Sequence, residues 1–406
     1  MEQRPRKLFS VDDHIVEPAD TWTSRVASKF RDRAPHIVRE GKAEVWVYED
    51  TRNPTTGLNA TAGKPREQWE MDPISFDDMI PGCYDPVQRA KDLASQGIMA
   101  SVAFPTLPRF GGALFPSFKD KELASECVRA WNDFMFDWCS VAPRMFVPMS
   151  LIQLWDVDLA VAETERCLDR GVRAVCIPEE VSNLGLPSYF SGYYDKFFAL
   201  CQEADLPICM HIGSSGWQPF KPKEAPASLQ IAISFVATQT HAVGMMYGNV
   251  CRKFPDLKIV YSEGGIGWVP AAVERADRMY ERHHHWDSAF GADDLLPSEI
   301  CKRNMWFCMI DEAFGLANRH VVGVDRIFWE CDYPHSSCIW PDTQKIVDDL
   351  FQGVPDDEFR KITYENANRI FKWDCPEPDE FPALLSGTTG AAGSSTTAPV
   401  PPRPGA

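Results

Sequence analysis

The chain lacks the features that assign a protein to membranes, to nucleic acid or to the secretory route. No uninterrupted apolar run approaches the roughly 18 residues of a membrane span, and no basic start precedes an apolar N-terminal stretch. It has no Lys/Arg cluster to offset a formal net charge of −17, so nucleic acid and anionic membranes are poor partners. We expect a cytosolic protein that acts on a small molecule.

Several catalytic and structural signatures are missing as well. The sequence contains no GxGxxG element, no P-loop and no GxSxG elbow, so nothing points to dinucleotide binding, nucleotide hydrolysis or a serine nucleophile. Its 13 cysteines are odd in number and scattered, with no CxxC pair. Because several of them lie inside apolar strands, we expect reduced core residues rather than a disulfide framework.

What the chain does contain is an alternation of short apolar runs and longer amphipathic stretches, which predicts repeated βα units around a parallel sheet. Eight such runs are present, the number that closes a (β/α)8 barrel of the TIM type. The predicted strands are 7–14, 99–105, 145–152, 174–179, 206–212, 258–265, 304–310 and 326–334. The predicted helices include 121–140, 158–170, 193–204, 230–247, 270–285 and 342–351.

Two segments fall outside this alternation. Residues 19–96 form a long insertion after the first strand, rich in Pro, Trp, Arg and acids, with a hairpin-like run at 44–48. A connection of that length commonly covers a functional site, so we expect it over the barrel mouth. We take 1–372 as one catalytic domain and 373–406, which ends in Gly, Ala, Ser, Thr and Pro, as a disordered tail.

The first predicted strand ends in acids around one histidine. Residues i and i+2 of a strand face the same side, so Asp12 and His14 point into one cavity while Asp13 points away. Glu17 follows, just before Pro18 stops the strand.

Three later strands also end in groups that can bind a metal. His211 ends the fifth predicted strand, Glu263 the sixth and Asp332 the eighth, at the strand ends where barrels carry their chemistry. Such groups would repel one another in one cavity unless a cation held them together. The predicted ligands are Asp12, His14, Glu17, His211, Glu263 and Asp332.

Other residues near these strand ends have less certain roles. His335 either orients a ligand or the substrate, or simply caps the turn after Pro334. Aromatic residues crowd the predicted rim, and about half of them are expected in the core. They favour an aromatic or apolar substrate. The rim aromatics are Phe104, Phe110, Trp217, Trp268, Trp306 and Trp340.

Four motifs give residues 7–372 a resemblance to the amidohydrolase-2 family, the branch that includes aminocarboxymuconate-semialdehyde, resorcylate and carboxyvanillate decarboxylases. They are the DxH element at Asp12, the His-x-Gly at His211, the FPDLK segment at 254–265 and the DYPH run at 332–335. The resemblance implies a (β/α)8 barrel with one catalytic divalent metal on Asp12, His14, His211 and Asp332. It also points to a homodimer.

The chain departs from the family pattern at two places. Val16 stands where many relatives have a second strand-one histidine, and Glu263 stands where most have a histidine after the FPDLK strand. The inward set then has two histidines and four carboxylates, which suits Zn, Mn or Fe and resembles the composition of di-iron sites in helical bundles. One or two ions per chain are consistent with it.

Two functions follow from this set. The first is a metal-dependent hydrolase or decarboxylase acting on a small aromatic or apolar carboxylate or carbonyl compound, with Asp332 as the residue that moves the proton and Glu263 and His335 as further catalytic candidates. The second is a non-haem di-iron oxygenase on the same barrel, suggested by the additional carboxylates.

Overall fold

Parallel strands form the centre of the molecule. The computed structural model describes residues 5–220, 222–286 and 295–386. The strands are β1 Leu8–Ile15, β2 His36–Glu40, β3 Ala43–Tyr48, β4 Thr51–Pro54, β5 Ile98–Pro105, β6 Phe146–Val147, β7 Met149–Ser150, β8 Ala174–Cys176, β9 Ile208–His211, β10 Ile259–Ser262, β11 Met305–Met309 and β12 Ile327–Trp329.

The central strands pair in parallel and in chain order, as two sheets. One sheet has the order β1-β5-β6 and the other β7-β8-β9-β10-β11-β12. The two sheets part at Pro148, which has no N–H for a ladder bond. On the opposite side, the Asp332 N–H donates to the Asp12 carbonyl (2.9 Å) and the His14 N–H to the Tyr333 carbonyl (2.7 Å). These bonds join β1 to the segment that follows β12.

Helices connect the strands. Several begin at an aspartate whose side chain accepts backbone N–H groups of the first turn, as Asp85, Asp120 and Asp156 do. The helices are α1 Pro86–Ser95, α2 Lys121–Ser140, α3 Val157–Leu168, α4 Asp195–Glu203, α5 Ala227–Ile233, α6 Phe235–Tyr247, α7 Val250–Lys253, α8 Val269–His283, α9 Pro297–Asn304, α10 Ala313–Ala317, α11 Arg319–Val322, α12 Thr343–Leu350, α13 Asp356–Arg360, α14 Asn366–Phe371 and α15 Phe381–Ser386.

Each predicted strand has a counterpart, but 145–152 is divided at Pro148, and 174–179, 258–265 and 326–334 run three or more residues past the observed strand ends. Glu263 and Asp332 were placed inside strands at 258–265 and 326–334, yet they follow the ends of β10 and β12 with φ angles of 56° and 61°. A left-handed residue turns the chain away from the ladder, so both side chains lie on turns. The predicted helix 230–247 is likewise divided, at Ser234.

The segment between β1 and α1 contains an antiparallel sheet in the order β2-β3-β4 and several short helical turns. It reaches the loop after β12, because the Thr61 N–H donates to the Pro334 carbonyl (2.8 Å) and the Thr61 hydroxyl to the His335 carbonyl (2.7 Å). The insertion is thereby attached next to the candidate site residues.

The cysteines behave as core residues. All of them are free thiols, and only Cys338 is not fully buried, which confirms the expectation of reduced, packed cysteines. Among the described residues, no helix is both long enough and apolar enough to cross a membrane.

Residues 373–386 were predicted to belong to a disordered tail, but the structure packs them on the strands and helices. The Trp373 indole donates to the Arg144 carbonyl (2.9 Å), Cys375 is buried, and Glu380 pairs with Arg144 (2.8 Å). The predicted boundary was placed too early, because the Gly/Ser/Thr/Pro bias that indicates disorder begins only near residue 386. The remainder of the predicted tail, 387–406, lies outside the described residues.

Candidate metal centre

The wall formed by β1 brings Asp12 and His14 together with His211 from the end of β9, and all three are fully buried. His14 Nε2 lies 3.1 Å from His211 Nε2. The Asp12 oxygens lie 3.4 Å from His14 Nε2 and 3.2 Å from His211 Nε2. The structure thus brings these three predicted residues together, with ligand atoms close enough to hold a metal ion, and their binding of one stays a prediction.

Asp332 completes the cluster from the turn after β12. Its Oδ1 lies 3.2 Å from His14 Nε2 and 3.7 Å from His335 Nδ1, and its Oδ2 accepts the Ser337 N–H (3.2 Å). The left-handed turn at Asp332 and its N–H bond to the Asp12 carbonyl direct the carboxylate toward His14. His14, Asp332 and His335 form a second group of suitable ligands.

The distances fit a single divalent ion. Ligands that bind one ion at about 2.1 Å are separated from one another by about 3.0 to 3.4 Å at octahedral or tetrahedral angles. Among the described residues, neither oxygen of Asp12 nor Oδ1 of Asp332 has a hydrogen-bond partner, although all are buried. Such unpartnered buried oxygens are costly unless a cation binds them.

The nitrogen of His211 that faces the cluster is free to bind a metal. Its Nδ1 lies 2.7 Å from the Ile212 carbonyl, and a carbonyl can only accept, so Nδ1 carries the proton and the lone pair is on Nε2. This is the arrangement of a neutral histidine ligand whose ring orientation is fixed from behind.

The electrostatics of the cluster also call for a cation. Burial, and then the neighbouring carboxylates, raise the pKa of Asp12 and Asp332 well above the ordinary range. Burial, and then the adjacent imidazoles, lower the pKa of His14 well below its usual value. Both shifts disfavour the charged forms of these groups in the metal-free site, a cost that a bound divalent ion would relieve for the carboxylates.

Glu17 does not join the cluster, so its prediction as a metal ligand is corrected. Its carboxylate accepts the Thr106 N–H (3.0 Å), the Leu107 N–H (2.9 Å) and the Trp131 indole N–H (3.1 Å). Burial still raises the pKa of Glu17 to about 7 against these donors. Three residues beyond His14, after Ile15 ends β1, the chain has turned and the side chain faces the end of β5 instead.

Glu263 stands at the edge of the cluster. Its Oε2 lies 3.4 Å from His211 Nε2, and its Oε1 accepts the Ser337 hydroxyl (3.0 Å). About a fifth of its side chain is exposed (21%), unlike that of Asp12 or Asp332. Glu263 is therefore close enough to act on whatever the cluster binds, while remaining open to solvent.

Two buried glutamates lie near the site residues and were not singled out from the sequence. The Glu330 carboxylate accepts the N–H of Glu263 (3.0 Å), which holds the left-handed turn at that residue. Glu179, after β8, accepts the hydroxyl of Thr238, and burial raises its pKa to about 7. The signal for Glu330 was its place two residues before Asp332, and for Glu179 its position just beyond a buried strand.

Aromatic rings cover the imidazoles. His335 stacks on His14 with centroids 3.5 Å apart, and Phe110 lies 3.9 Å from the ring of His211. Phe104 packs edge-on to His211 at 5.0 Å. Of the predicted rim aromatics, Phe104 and Phe110 thus contact the imidazoles directly, while the Trp306 indole is buried and bonds the Asp325 carbonyl.

Comparison with known proteins agrees with this architecture. Residues 35–373 match the family described as amidohydrolase, so the chain belongs to that family. It is 25% identical over 277 residues to a gamma-resorcylate decarboxylase of Polaromonas sp., covering 62% of this chain and 78% of the relative. It is 21% identical over 297 residues to a 2-amino-3-carboxymuconate-6-semialdehyde decarboxylase of Dictyostelium discoideum, covering 72% and 76%.

Solved structures show the same fold. An amidohydrolase of Mycobacterium avium subsp. paratuberculosis superposes with a TM-score of 0.70 at 21% identity, over 90% of this chain and 97% of that one. A dihydroxybenzoic acid decarboxylase of Polaromonas sp. with bound manganese and 2-nitroresorcinol gives 0.58 at 16% identity, over 90% and 97%. These likenesses place the chain in the α/β TIM-barrel class.

Proposed function

We propose that this protein is a metal-dependent decarboxylase of a small aromatic carboxylate. The observation that carries the proposal is the convergence of Asp12, His14, His211 and Asp332 with unpartnered buried oxygens beneath a cover of aromatic rings. The decarboxylases among the relatives support the same reaction class. Decarboxylation is preferred to hydrolysis because of these relatives, since the cluster alone suits both reactions.

The residues that would hold the ion are Asp12, His14, His211 and Asp332. Manganese is the metal in the related dihydroxybenzoic acid decarboxylase, and carboxylate oxygens with imidazole suit manganese, zinc or iron. When bound, such an ion supplies a Lewis acid that attracts the substrate's carboxylate and a neighbouring oxygen.

The chain's own groups then carry out the remaining work. Phe110, which is only partly buried, provides an apolar face against which a flat ring can stack, and the buried Phe104 lines the site behind the imidazoles. Asp332 donates a proton to the ring carbon, and the electron pair of the breaking C–C bond becomes the new C–H bond as carbon dioxide leaves. His335 lies beside the carboxylate of Asp332 that donates the proton. Glu263 lies on the solvent-exposed side of the cluster.

Neither the site nor the relatives support the di-iron oxygenase. It depended on Glu17 as an additional carboxylate ligand, and that side chain is occupied by the amides of residues 106 and 107 and by Trp131. Three carboxylates and two imidazoles within reach of one another suit one ion better than two. None of the decarboxylase relatives described above favours oxygen chemistry.

We also propose finer features of the architecture. The eight parallel strand positions close a (β/α)8 barrel through the bonds between β1 and the segment after β12. The insertion 19–96 covers its mouth, supported by the Thr61 bonds to residues 334 and 335. Residues 1–372, together with the packed segment 373–386, act as one catalytic domain. The protein is a homodimer in solution, which light scattering tests.

The experiment that tests the function combines metal analysis with a carbon dioxide assay. The protein is expressed with added manganese and its metal is counted per chain. Hydroxybenzoates with a carboxylate beside a hydroxyl, and their esters and amides, are incubated with it both with and without oxygen. One ion per chain and metal-dependent carbon dioxide release are expected. Ester or amide cleavage without carbon dioxide release would replace the proposal with a hydrolase, and a strict oxygen requirement would overturn it.

A further inference from the structure

Arg89 lies completely buried behind the wall that carries two of the proposed ligands. It belongs to α1, and its Nε donates to the Gly82 carbonyl (2.6 Å). Its Nη2 donates to the carbonyl of His14 (2.6 Å) and more weakly to that of Cys83 (3.3 Å). Burying a guanidinium is costly unless its donors are used. Here Nε and Nη2 bond carbonyls, one of them that of a proposed ligand residue, while Nη1 has no hydrogen-bond partner among the described residues.

His14 depends on its backbone for its position. The ring of His211 is fixed by its Nδ1 bond to the Ile212 carbonyl, but among the described residues Nδ1 of His14 has no hydrogen-bond partner. The backbone of His14 is held at both ends instead, by Arg89 at its carbonyl and by the Tyr333 carbonyl at its N–H (2.7 Å). The direction in which its imidazole points therefore follows from this backbone anchoring.

Arg89 also contacts the segment that carries Asp332. Its guanidinium lies 4.4 Å from the centroid of the Tyr333 ring, at cation–π distance. Tyr333 directly follows Asp332, and its N–H donates to the Asp13 carboxylate on β1 (3.0 Å). The buried side chain of Arg89 thus contacts both His14 and Tyr333, the residue next to Asp332, and these contacts bear on the distance between His14 and Asp332.

We propose that Arg89 is a positioning residue that fixes the spacing of His14 and Asp332 and so sets the metal affinity of the site. The inference rests on the proposed metal-dependent function, but it concerns binding of the ion rather than the reaction. A lysine could reach only one of the three carbonyls, because an ammonium is a point charge and lacks the planar fork of a guanidinium.

The test compares Arg89→Lys with Arg303→Lys. Arg303 also donates a short bond to a carbonyl, that of Cys251 (2.6 Å), but from a partly buried position, and in the described part of the chain it bonds none of the site residues. The dissociation constant for Mn²⁺ alone is measured by competition titration. We expect it to rise about 10- to 100-fold in Arg89→Lys and to stay unchanged in Arg303→Lys. The electron paramagnetic resonance lines of the bound Mn²⁺ should broaden only in Arg89→Lys.

A second pair of variants decides the case if Arg89→Lys does not fold. Asp85 caps α1, which carries Arg89, and Asp156 caps α3 in the same manner. Asp85→Ala should weaken Mn²⁺ binding, whereas Asp156→Ala should lower only the melting temperature. Equal Mn²⁺ affinity in both cap variants, or in both lysine variants, overturns the proposal. Because no arm uses the reaction, failure of the decarboxylase proposal would appear separately, as Mn²⁺ binding without carbon dioxide release.

Discussion

The imidazole of His335 lies flat on the imidazole of His14, with ring centroids 3.5 Å apart and planes 13° apart. Burial and neighbouring charges lower the pKa of both rings well below the usual value, so the two rings are neutral and stack without charge repulsion. Since Nδ1 of His14 has no hydrogen-bond partner among the described residues, the stack fixes the plane of a proposed ligand.

Two replacements of His335 separate the effect of its stacking on His14 from the effect of its ring nitrogen on Asp332. His335→Phe keeps a flat ring against His14 but removes the nitrogen 3.7 Å from Asp332, so Mn²⁺ binding should persist while kcat falls. His335→Ala removes both, and the Mn²⁺ dissociation constant should rise about tenfold or more. Metal titration and steady-state kinetics on the two variants measure these effects. An alanine variant that binds Mn²⁺ as tightly as the wild type would show that the stack is dispensable.

Metal content distinguishes the ligand Asp12 from its near neighbour Glu17. Asp12→Asn removes a charge whose two oxygens face the imidazoles, and the purified protein should lose its metal. Glu17→Gln should retain one ion per chain, because that carboxylate is bonded to amides and an indole instead. Elemental analysis of both variants gives the answer. Loss of metal from both would return Glu17 to the ligand set.

Glu17 also predicts a pH dependence of stability. Burial raises its pKa from 4.5 to about 7, so the folded protein holds this proton between those pH values while the unfolded chain releases it. The contribution of protonated Glu17 to the free energy of unfolding is complete below pH 4.5. It is lost as the pH rises toward 7, by at most about 1.4 kcal/mol per pH unit. Glu17→Gln lacks this dependence.

Urea unfolding with a chelator, at pH 5 and pH 8, measures that effect. The free energy of unfolding of the wild type should fall relative to that of Glu17→Gln as the pH increases, while the other carboxylates cancel between the two proteins. A difference between the proteins that does not change with pH would mean that the three N–H donors keep Glu17 ionised throughout.

Asp332 should lower the free energy of unfolding of the metal-free protein. Burial and then the charges of Glu263, Asp12 and Glu330 raise its pKa well above the ordinary range, so neutral amide is better tolerated there at pH 8. Asp332→Asn should therefore melt at a higher temperature than the wild type in chelator, yet bind Mn²⁺ more weakly and release no carbon dioxide. Thermal melts with and without Mn²⁺ test both signs, and a lower melting temperature in chelator would contradict the account.

The parts of the site that follow from local pattern were predictable, and those that depend on turns were not. The two-residue period of β1 placed Asp12 and His14 correctly, and the strand end placed His211. The pattern could not show that the chain turns beyond Ile15 and removes Glu17 from the cavity. Nor could it show that Glu263 and Asp332 adopt left-handed turns, because hydrogen bonds from distant segments contribute to holding both turns.

The supporting residues were hidden for a related reason. Arg89 and Glu330 act on backbone groups of residues far away in sequence, and nothing in a hydrophobic period marks such bonds. The break of the parallel ladder at Pro148 is visible as a proline inside a predicted strand, yet its effect on sheet pairing requires the neighbouring strands.

Glu263 lies 3.4 Å from His211 Nε2 at the edge of the cluster, and its amide variant tests whether it acts as acid and base or as a ligand. Glu263→Gln keeps an oxygen that can accept the Ser337 hydroxyl but cannot transfer a proton. If Glu263 moves protons, kcat should fall about 100-fold or more and one limb of its pH profile should disappear, with Mn²⁺ affinity nearly unchanged. Ser337→Ala keeps the N–H bond to Asp332 and removes only the bond to Glu263, so it should lower kcat by less and keep the pH limb. A Glu263→Gln variant that loses Mn²⁺ but turns over normally at saturating metal would instead make Glu263 a ligand, because the missing charge would then weaken only the binding of the ion.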